Sequence, residues 1–243
     1  MQSSPGPGNR TLLIAMGIVL LLAGGTAGWL WRAQTDRAAT EAIVRDYILE
    51  NPEILPQAME NLGRKESAKQ LSGIRETLEK PYPGAMLGNP EGKVTLVEFS
   101  DFACGYCRQS VADVEALIAE HPDLRVVIRE LPILSPESAE AARWALAAAE
   151  QGKYAAFHNA MYAAGRPSAA TIQAAAATAG LDMNLAKAAI TSPRIAAELK
   201  RNYDFAQQLG FNGTPSWVAG DRILSGAVGK DRLGKAVADA RGS

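Results

Sequence analysis

An apolar, β-branched run, VTLVEF at 94–99, leads through Ser100-Asp101-Phe102-Ala103 into Cys104-Gly105-Tyr106-Cys107, and an amphipathic stretch follows at once. The run has the composition of a buried strand. After it, Val111, Val114, Leu117 and Ile118 recur at helical spacing, and the helix is predicted to end near His121-Pro122. The cysteines therefore fall at a strand-to-helix junction, on the first turn of the helix. They are the only two cysteines in 243 residues. A disulfide between residues this close would close a tiny loop and brace little, so reactivity explains the pair better than stability does.

The junction gives each sulfur a distinct expected role. First-turn amides lack intrahelical partners and carry partial positive charge, so they favour a thiolate on Cys104, exposed at the helix tip. The thiolate is the attacking species in disulfide exchange. Cys107, one turn further on, lies on the same side and is placed to attack a mixed disulfide intramolecularly. Zinc is the rival reading of a Cys-x-x-Cys pair, but a structural site needs four ligands. The remaining soft donors, His121 and His158, have no finger-like spacing. His121 reads as a helix-end residue and His158 as a packed or half-exposed helical one, so no metal is expected.

Glu98 is the third candidate. A carboxylate in an apolar strand is costly to bury as an ion. Leading into the cysteines, it is expected to sit beneath them with a raised pKa and relay a proton. The alternative is an edge residue facing water.

Beyond the helix, residues 124–131 read as a second strand that Pro132 ends. An alanine-rich stretch opens at Ser135-Pro136. Punctuation at Gly152, Gly165-Arg166-Pro167, Gly180 and Ser192-Pro193 divides 136–210 into about five helices, with no catalytic cluster evident in them. Residues 211–216 break the helices. A short strand at 217–219 turns near Asp221-Arg222 into 223–226, and a last helix covers about 229–241. The order implies a mixed sheet flanked by helices, an α/β fold.

Before this domain, residues 1–10 form a polar tail, and residues 11–31 run without a charge. As a helix that run would span about 31 Å, against a hydrocarbon core of about 30 Å. Trp29 and Trp31 stand where an interfacial belt would lie. The segment is expected to be a transmembrane anchor or, with a cleavage site after Ala27, an export signal. A buried core helix is the third reading. Residues 32–81 carry apolar stripes (Ile43, Val44, Tyr47, Ile48; Ile54, Leu55, Met59, Leu62; Leu71, Ile74, Leu78) and read as a stalk of three short helices. Asn51-Pro52 is expected to start the second of these, and Pro56 to bend or shorten it. The stripes must pack either on the main domain or on other copies of the chain. Pro81-Tyr82-Pro83-Gly84 marks the boundary to the domain at 82–243.

The run VEFSDFACGYC, the helical stretch, and GTPSWVAGDRILSGAVGKDRL together resemble the DsbA family of thiol–disulfide oxidoreductases over roughly residues 82–241. The resemblance implies a thioredoxin fold with a helical insertion at about 136–205. It also implies a cis bond before Pro215, which would lie against the cysteines, with Thr214, Pro215, Gly105 and Tyr106 contacting substrate. Taken as an isolated residue, Pro215 would be an ordinary loop proline. The strongest oxidants of the family carry Pro and His between the cysteines. Here Gly105 and Tyr106, together with Thr214, are closer to isomerases of the DsbC type, so a milder oxidant, an isomerase or a reductase is expected. The segment IVRDYILENPEIL resembles the stalk of the ScsC group, whose members assemble through such helices.

These observations predict an enzyme that forms, reduces or isomerises disulfides in exported proteins, with no cofactor. It would face the bacterial periplasm, tethered to the inner membrane or soluble after cleavage, and a membrane redox partner would reset the pair. The stalk at 36–80 would support a homo-oligomer. A net charge of −1 gives no reason to expect nucleic acid. The alternative is an oligomeric chaperone-like binding protein with a secondary redox role. Cytosolic redox sensing is a further reading, one that export by the N-terminal segment would remove.

Overall fold

The computed structural model describes residues 7–242, leaving aside the side chains of residues 7–11, 27, 28, 30, 33–36 and 38. The chain divides into two compact units, at Glu60 and Asn61. In the first unit, α1 (Pro7–Glu50) is one continuous helix of 44 residues, so the apolar run and the first stalk stripe share a helix. Residues 11, 27, 28 and 30 of the expected anchor lie outside the described side chains, and among the described residues no helix is long and apolar enough to cross a membrane. From Leu12 to Leu22 every large apolar side chain is at least half exposed, and so are Ile43, Val44, Tyr47 and Leu49.

Asn51 closes α1 instead of opening the next helix: its side-chain amide donates to the Tyr47 carbonyl at 2.9 Å. Residues 51–53 then turn, and α2 (Ile54–Leu71) begins after them. Pro56 falls in the first turn of α2, where a missing N–H costs nothing, so the bend expected of it is not required. The third stalk stripe is split. Leu71 ends α2, Ile74 precedes the short α3 (Arg75–Glu79), and Leu78 lies within it.

The second unit is built on a five-stranded mixed sheet. Its strands are β1 (Met86–Gly88), β2 (Val94–Ser100), β3 (Leu124–Glu130), β4 (Ser216–Ala219) and β5 (Arg222–Ser225), in spatial order β1-β3-β2-β4-β5. Only β2 and β3 run parallel, joined by α4 (Gly105–Glu120). Strand β2 is central and all seven of its residues are buried, as its unbroken apolar composition requires. Strand β1 was not legible in the sequence, because Met86-Leu87-Gly88 is too short to show a period.

Five helices fill the span between β3 and β4: α5 (Pro136–Glu150), α6 (Tyr154–Ala163), α7 (Ala169–Thr178), α8 (Met183–Ala189) and α9 (Pro193–Gln208). Their starts follow from local chemistry. Ser135 and Ser192 cap α5 and α9 with Pro at the first helical position, and Ser168 and Asp182 cap α7 and α8. A final helix, α10 (Lys230–Ala240), packs on α4 and β2.

One sheet face packs with α4, α10 and the helical insertion, around Leu96, Val114, Leu117, Ile128, Trp144 and Trp217. The other gathers Leu71, Leu78, Val97, Phe99, Val127, Phe205 and Phe211. The third stalk stripe thus packs on its own domain, held further by Arg129. This fully buried side chain donates to the carbonyls of Thr77, Leu78 and Lys80 and to Glu198 at 2.7 Å.

Candidate active site

Strand β2 ends at Ser100, and the chain turns over Asp101-Phe102-Ala103 to reach α4. Asp101 shapes that turn. Its carboxylate accepts from the amides of Ala103, Ile133 and Leu134 and from the Ser138 hydroxyl, at 2.8–3.2 Å. The segment before Cys104 is thereby fixed to the start of the helical insertion. Cys104 is the N-cap residue of α4, its own amide donating to the Asp101 carbonyl at 2.9 Å.

Both cysteines are free thiols, Cys104 6% exposed and Cys107 fully buried. The helix-tip position matches the sequence expectation, but the exposure does not. The loop before β4 lies against the sulfur, with Cys104 Sγ donating to the Thr214 carbonyl at 3.2 Å. The bond between Thr214 and Pro215 is cis. Beside this shielded sulfur, Gly105 and Tyr106 are open to solvent, Tyr106 at 64%. A groove of about 220 Å³ runs along Asn212, Gly213, Thr214, Pro215, Ser225 and Gly226.

The two sulfurs titrate in opposite directions. A hydrogen bond from the Cys107 thiol is the largest influence on Cys104 and brings it down from about 9 to about 5, against the opposing effect of burial. The Thr214 side chain and the amides of Cys107 and Tyr106 add to the lowering. The helix-terminus amides that the sequence emphasised thus contribute less than the neighbouring thiol. Burial drives Cys107 far above an ordinary thiol, reinforced by its bond to Cys104 and by the charge of Glu98.

Glu98 lies on the central strand, opposite Ile128 and Trp217, and is 3% exposed. A water-facing edge position is therefore excluded. Burial raises its pKa to about 7, with the Ser100 hydroxyl pulling down and the Cys104 charge pushing up.

Further polar groups, missed in the sequence, surround it. The Ser100 hydroxyl donates to Glu98 Oε1 at 2.9 Å and stands 2.8 Å from the Tyr162 hydroxyl. Tyr154 donates to Glu130 at 2.6 Å, and burial raises that carboxyl well above its usual range. Glu130 could have been found by the reasoning applied to Glu98, since it too is an acid in an apolar strand. Tyr154 and Tyr162 carry no such signal in an alanine-rich helix. His158 is packed among Phe102, Tyr154 and Tyr162, and burial lowers its pKa to about 4.

The chain is similar in sequence and fold to known proteins. A family model described as a DSBA-like thioredoxin domain matches residues 95–238, and one for the copper resistance protein ScsC N-terminal domain matches residues 36–69. The chain is similar to a thioredoxin-like oxidoreductase from Silicibacter pomeroyi, at 42% identity and a TM-score of 0.66, covering 70% of this chain and 98% of that one. It is similar to a periplasmic thioredoxin-like protein from Salmonella enterica serovar Typhimurium, at 28% identity and a TM-score of 0.63, over 70% and 97% of the two chains. The catalytic domain of Proteus mirabilis ScsC shares 26% identity with a TM-score of 0.64, over 72% and 98%. A curated relative is the Na(+)/H(+) antiporter NhaA 3 of Salinispora tropica, 32% identical over 158 residues. The match takes in 63% of this chain but spans only 24% of the antiporter's length.

Proposed function

The chain belongs to the DSBA-like thioredoxin-domain family of thiol–disulfide oxidoreductases, and from that premise we propose that it exchanges disulfides with exported proteins through Cys104 and Cys107. The observation that carries this reading is the paired sulfur geometry. Cys104 is the N-cap residue of α4, its sulfur 3.2 Å from the Thr214 carbonyl at the cis Thr214–Pro215 peptide, and Cys107 lies fully buried one turn further along the helix.

Near neutral pH a thiol with a pKa near 5 is largely ionised. The Cys104 thiolate attacks a substrate disulfide, forms a Cys104–substrate disulfide and expels one substrate thiolate. Cys107 gives its proton to Glu98 and attacks the Cys104 sulfur. This closes the Cys104–Cys107 disulfide, expels the second substrate thiolate and leaves the substrate reduced by two electrons. Run backwards, the same steps oxidise a dithiol; stopped at the mixed disulfide and reversed onto another sulfur, they isomerise. Thr214, Pro215, Gly105 and Tyr106 form the surface that the substrate chain meets. No cofactor enters these steps, and a membrane redox partner resets the pair.

We place the reaction in the bacterial periplasm, with residues 11–31 as inner-membrane anchor, or as a leader whose removal leaves a soluble protein. The uncharged composition of that run and the exposed apolar side chains from Leu12 to Leu22 support this. Within residues 36–80, the first two stripes serve for oligomerisation while the third packs on its own domain; the exposed Val44, Tyr47, Leu49, Leu55, Met59 and Leu62 and the ScsC match support this. The same exposed stripe favours a second reading, an assembled chaperone-like binding protein whose redox pair is secondary. That reading wins if client rescue persists with both cysteines replaced.

The test is alkylation of the reduced protein by iodoacetamide from pH 4 to 9, with the modified residue mapped by mass, followed by equilibration in glutathione buffers. Modification at Cys104 with a midpoint near pH 5, and a Cys104–Cys107 disulfide forming reversibly, are the expected results. Modification that begins only above pH 8 sinks the proposal.

A further inference from the structure

A chain of buried hydroxyls leads away from the Glu98 carboxylate. Ser100, the last residue of β2, stands between Glu98 at 2.9 Å and the Tyr162 hydroxyl at 2.8 Å, and Tyr162 in turn lies 3.2 Å from the Asp101 carbonyl. Ser100, Glu98, Cys107 and Tyr162 are each less than 5% exposed. The Ser100 hydroxyl also interacts with the Cys107 thiol, opposing part of the effect of burial there.

Each hydroxyl carries one proton, and this limits the patterns the chain can adopt. With Glu98 ionised, Ser100 donates to the carboxylate and Tyr162 donates to Ser100. With Glu98 protonated, the carboxyl donates to Ser100, Ser100 turns its proton to the Tyr162 oxygen, and Tyr162 donates to the Asp101 carbonyl. Either pattern satisfies every hydroxyl proton, and no heavy atom has to move.

We propose that Ser100 is the bridge through which the Cys107 proton reaches Glu98, and that Tyr162 is the positioning residue that allows the bridge to reverse. The proton leaving Cys107 Sγ bonds to Ser100 Oγ while the original Ser100 proton passes to Glu98 Oε1. The products are a Cys107 thiolate and a neutral carboxylic acid, and charge is conserved. The proposal rests on the reading of Glu98 as proton acceptor. The other titratable groups coupled to this cluster are Cys104 on α4, Asp101 at the turn, Glu130 on β3 and Tyr154 on α6. These four are acids; two bases also pack against the cluster, His158 on α6 with its ring 4.9 Å from that of Tyr162 and Arg108 on α4, which donates to the Tyr162 carbonyl at 3.0 Å, and β4 presents Trp217 opposite Glu98.

The test follows release of a small thiol from its mixed disulfide with Cys104, as a function of pH, in the full-length protein. Ser100→Ala is expected to slow release by about tenfold or more and to remove the inflection near pH 7. Alkylation of Cys104 should stay unchanged, and Ser100→Thr should restore the rate. The double variant Ser100→Ala/Glu98→Gln should be no slower than the slower single variant, because both interrupt one path. Tyr162→Phe, which keeps the ring, should move the inflection to lower pH, since the protonated carboxyl loses the acceptors behind it. Unaltered release in Ser100→Ala, additive losses in the double variant, or an unmoved inflection in Tyr162→Phe each overturns the bridge. Unaltered release in Glu98→Gln overturns the acceptor assignment itself, whereas a slow Glu98→Gln beside an unaltered Ser100→Ala removes the bridge alone.

Discussion

Cys104→Ala is expected to lower the reduction of a model disulfide by about three orders of magnitude or more, to the uncatalysed level. No other sulfur can take over. Cys107 is fully buried, and its thiol is held far above the pH range in which it would ionise. The opposite variant fails at a different step. In Cys107→Ala the Cys104 thiolate still attacks but nothing resolves the product, so a mixed disulfide accumulates and is visible as a mass increase of one substrate thiol less two hydrogens. Cys104 loses its chief stabilising hydrogen bond in that variant, so its alkylation midpoint should move upward from about 5 towards an ordinary thiol. Rapid turnover by Cys104→Ala, or a midpoint unmoved in Cys107→Ala, would contradict the assigned division of labour.

The reduced and oxidised forms should differ in stability by an amount that grows with pH. In the reduced form the Cys104 pKa is depressed from about 9 to about 5. Its contribution is fully present above pH 9, is lost as pH falls from 9 towards 5, and is absent below 5. Glu98 acts with the opposite sign. Its pKa is raised from 4.5 to about 7, so its contribution is complete below 4.5 and disappears as pH rises through 7. Between pH 5 and 7 the two slopes oppose one another in the reduced protein, and from 7 to 9 only the cysteine's remains. The oxidised protein has no Cys104 thiolate, so the gap between the forms widens from pH 5 to 9 by about 1.4 kcal/mol per pH unit at most. Cys107, raised rather than lowered, opposes this only above pH 9. Denaturant unfolding of both forms at pH 6, 7 and 8 measures the gap, and a gap constant across that range would refute the thiolate's role. A reduced form favoured in this way makes the disulfide form the better oxidant as pH rises relative to an ordinary dithiol.

Much of this site is local in origin, and local features are legible in a sequence. The strand run at 94–99, the amphipathic stretch after Cys107 and the Ser-Pro pairs at 135–136 and 192–193 each define their own conformation through period, capping and fixed φ. The order of strands and helices from β2 onward followed from them, whereas the resemblance to the DsbA family rested on the motifs VEFSDFACGYC and GTPSWVAGDRILSGAVGKDRL. The stalk was read less well, because Asn51 bonds backwards to Tyr47 and Leu71, Ile74 and Leu78 find their partners on a sheet far along the chain.

Composition and spacing alone determined that two cysteines would stand at the start of a helix, behind a strand carrying one carboxylate. Tertiary structure decided how those groups titrate. The pKa of Cys104 depends on which way a thiol one turn away points and on a loop 110 residues further along. The pKa of Glu98 depends on helices and strands that remove water from it. Ser100, Tyr162, Glu130 and Tyr154 meet only because β2, β3 and α6 pack together. Hydrogen bonding and desolvation act over a few ångströms in space, whatever the separation along the chain, so folding had to bring the groups together before their chemistry could be read.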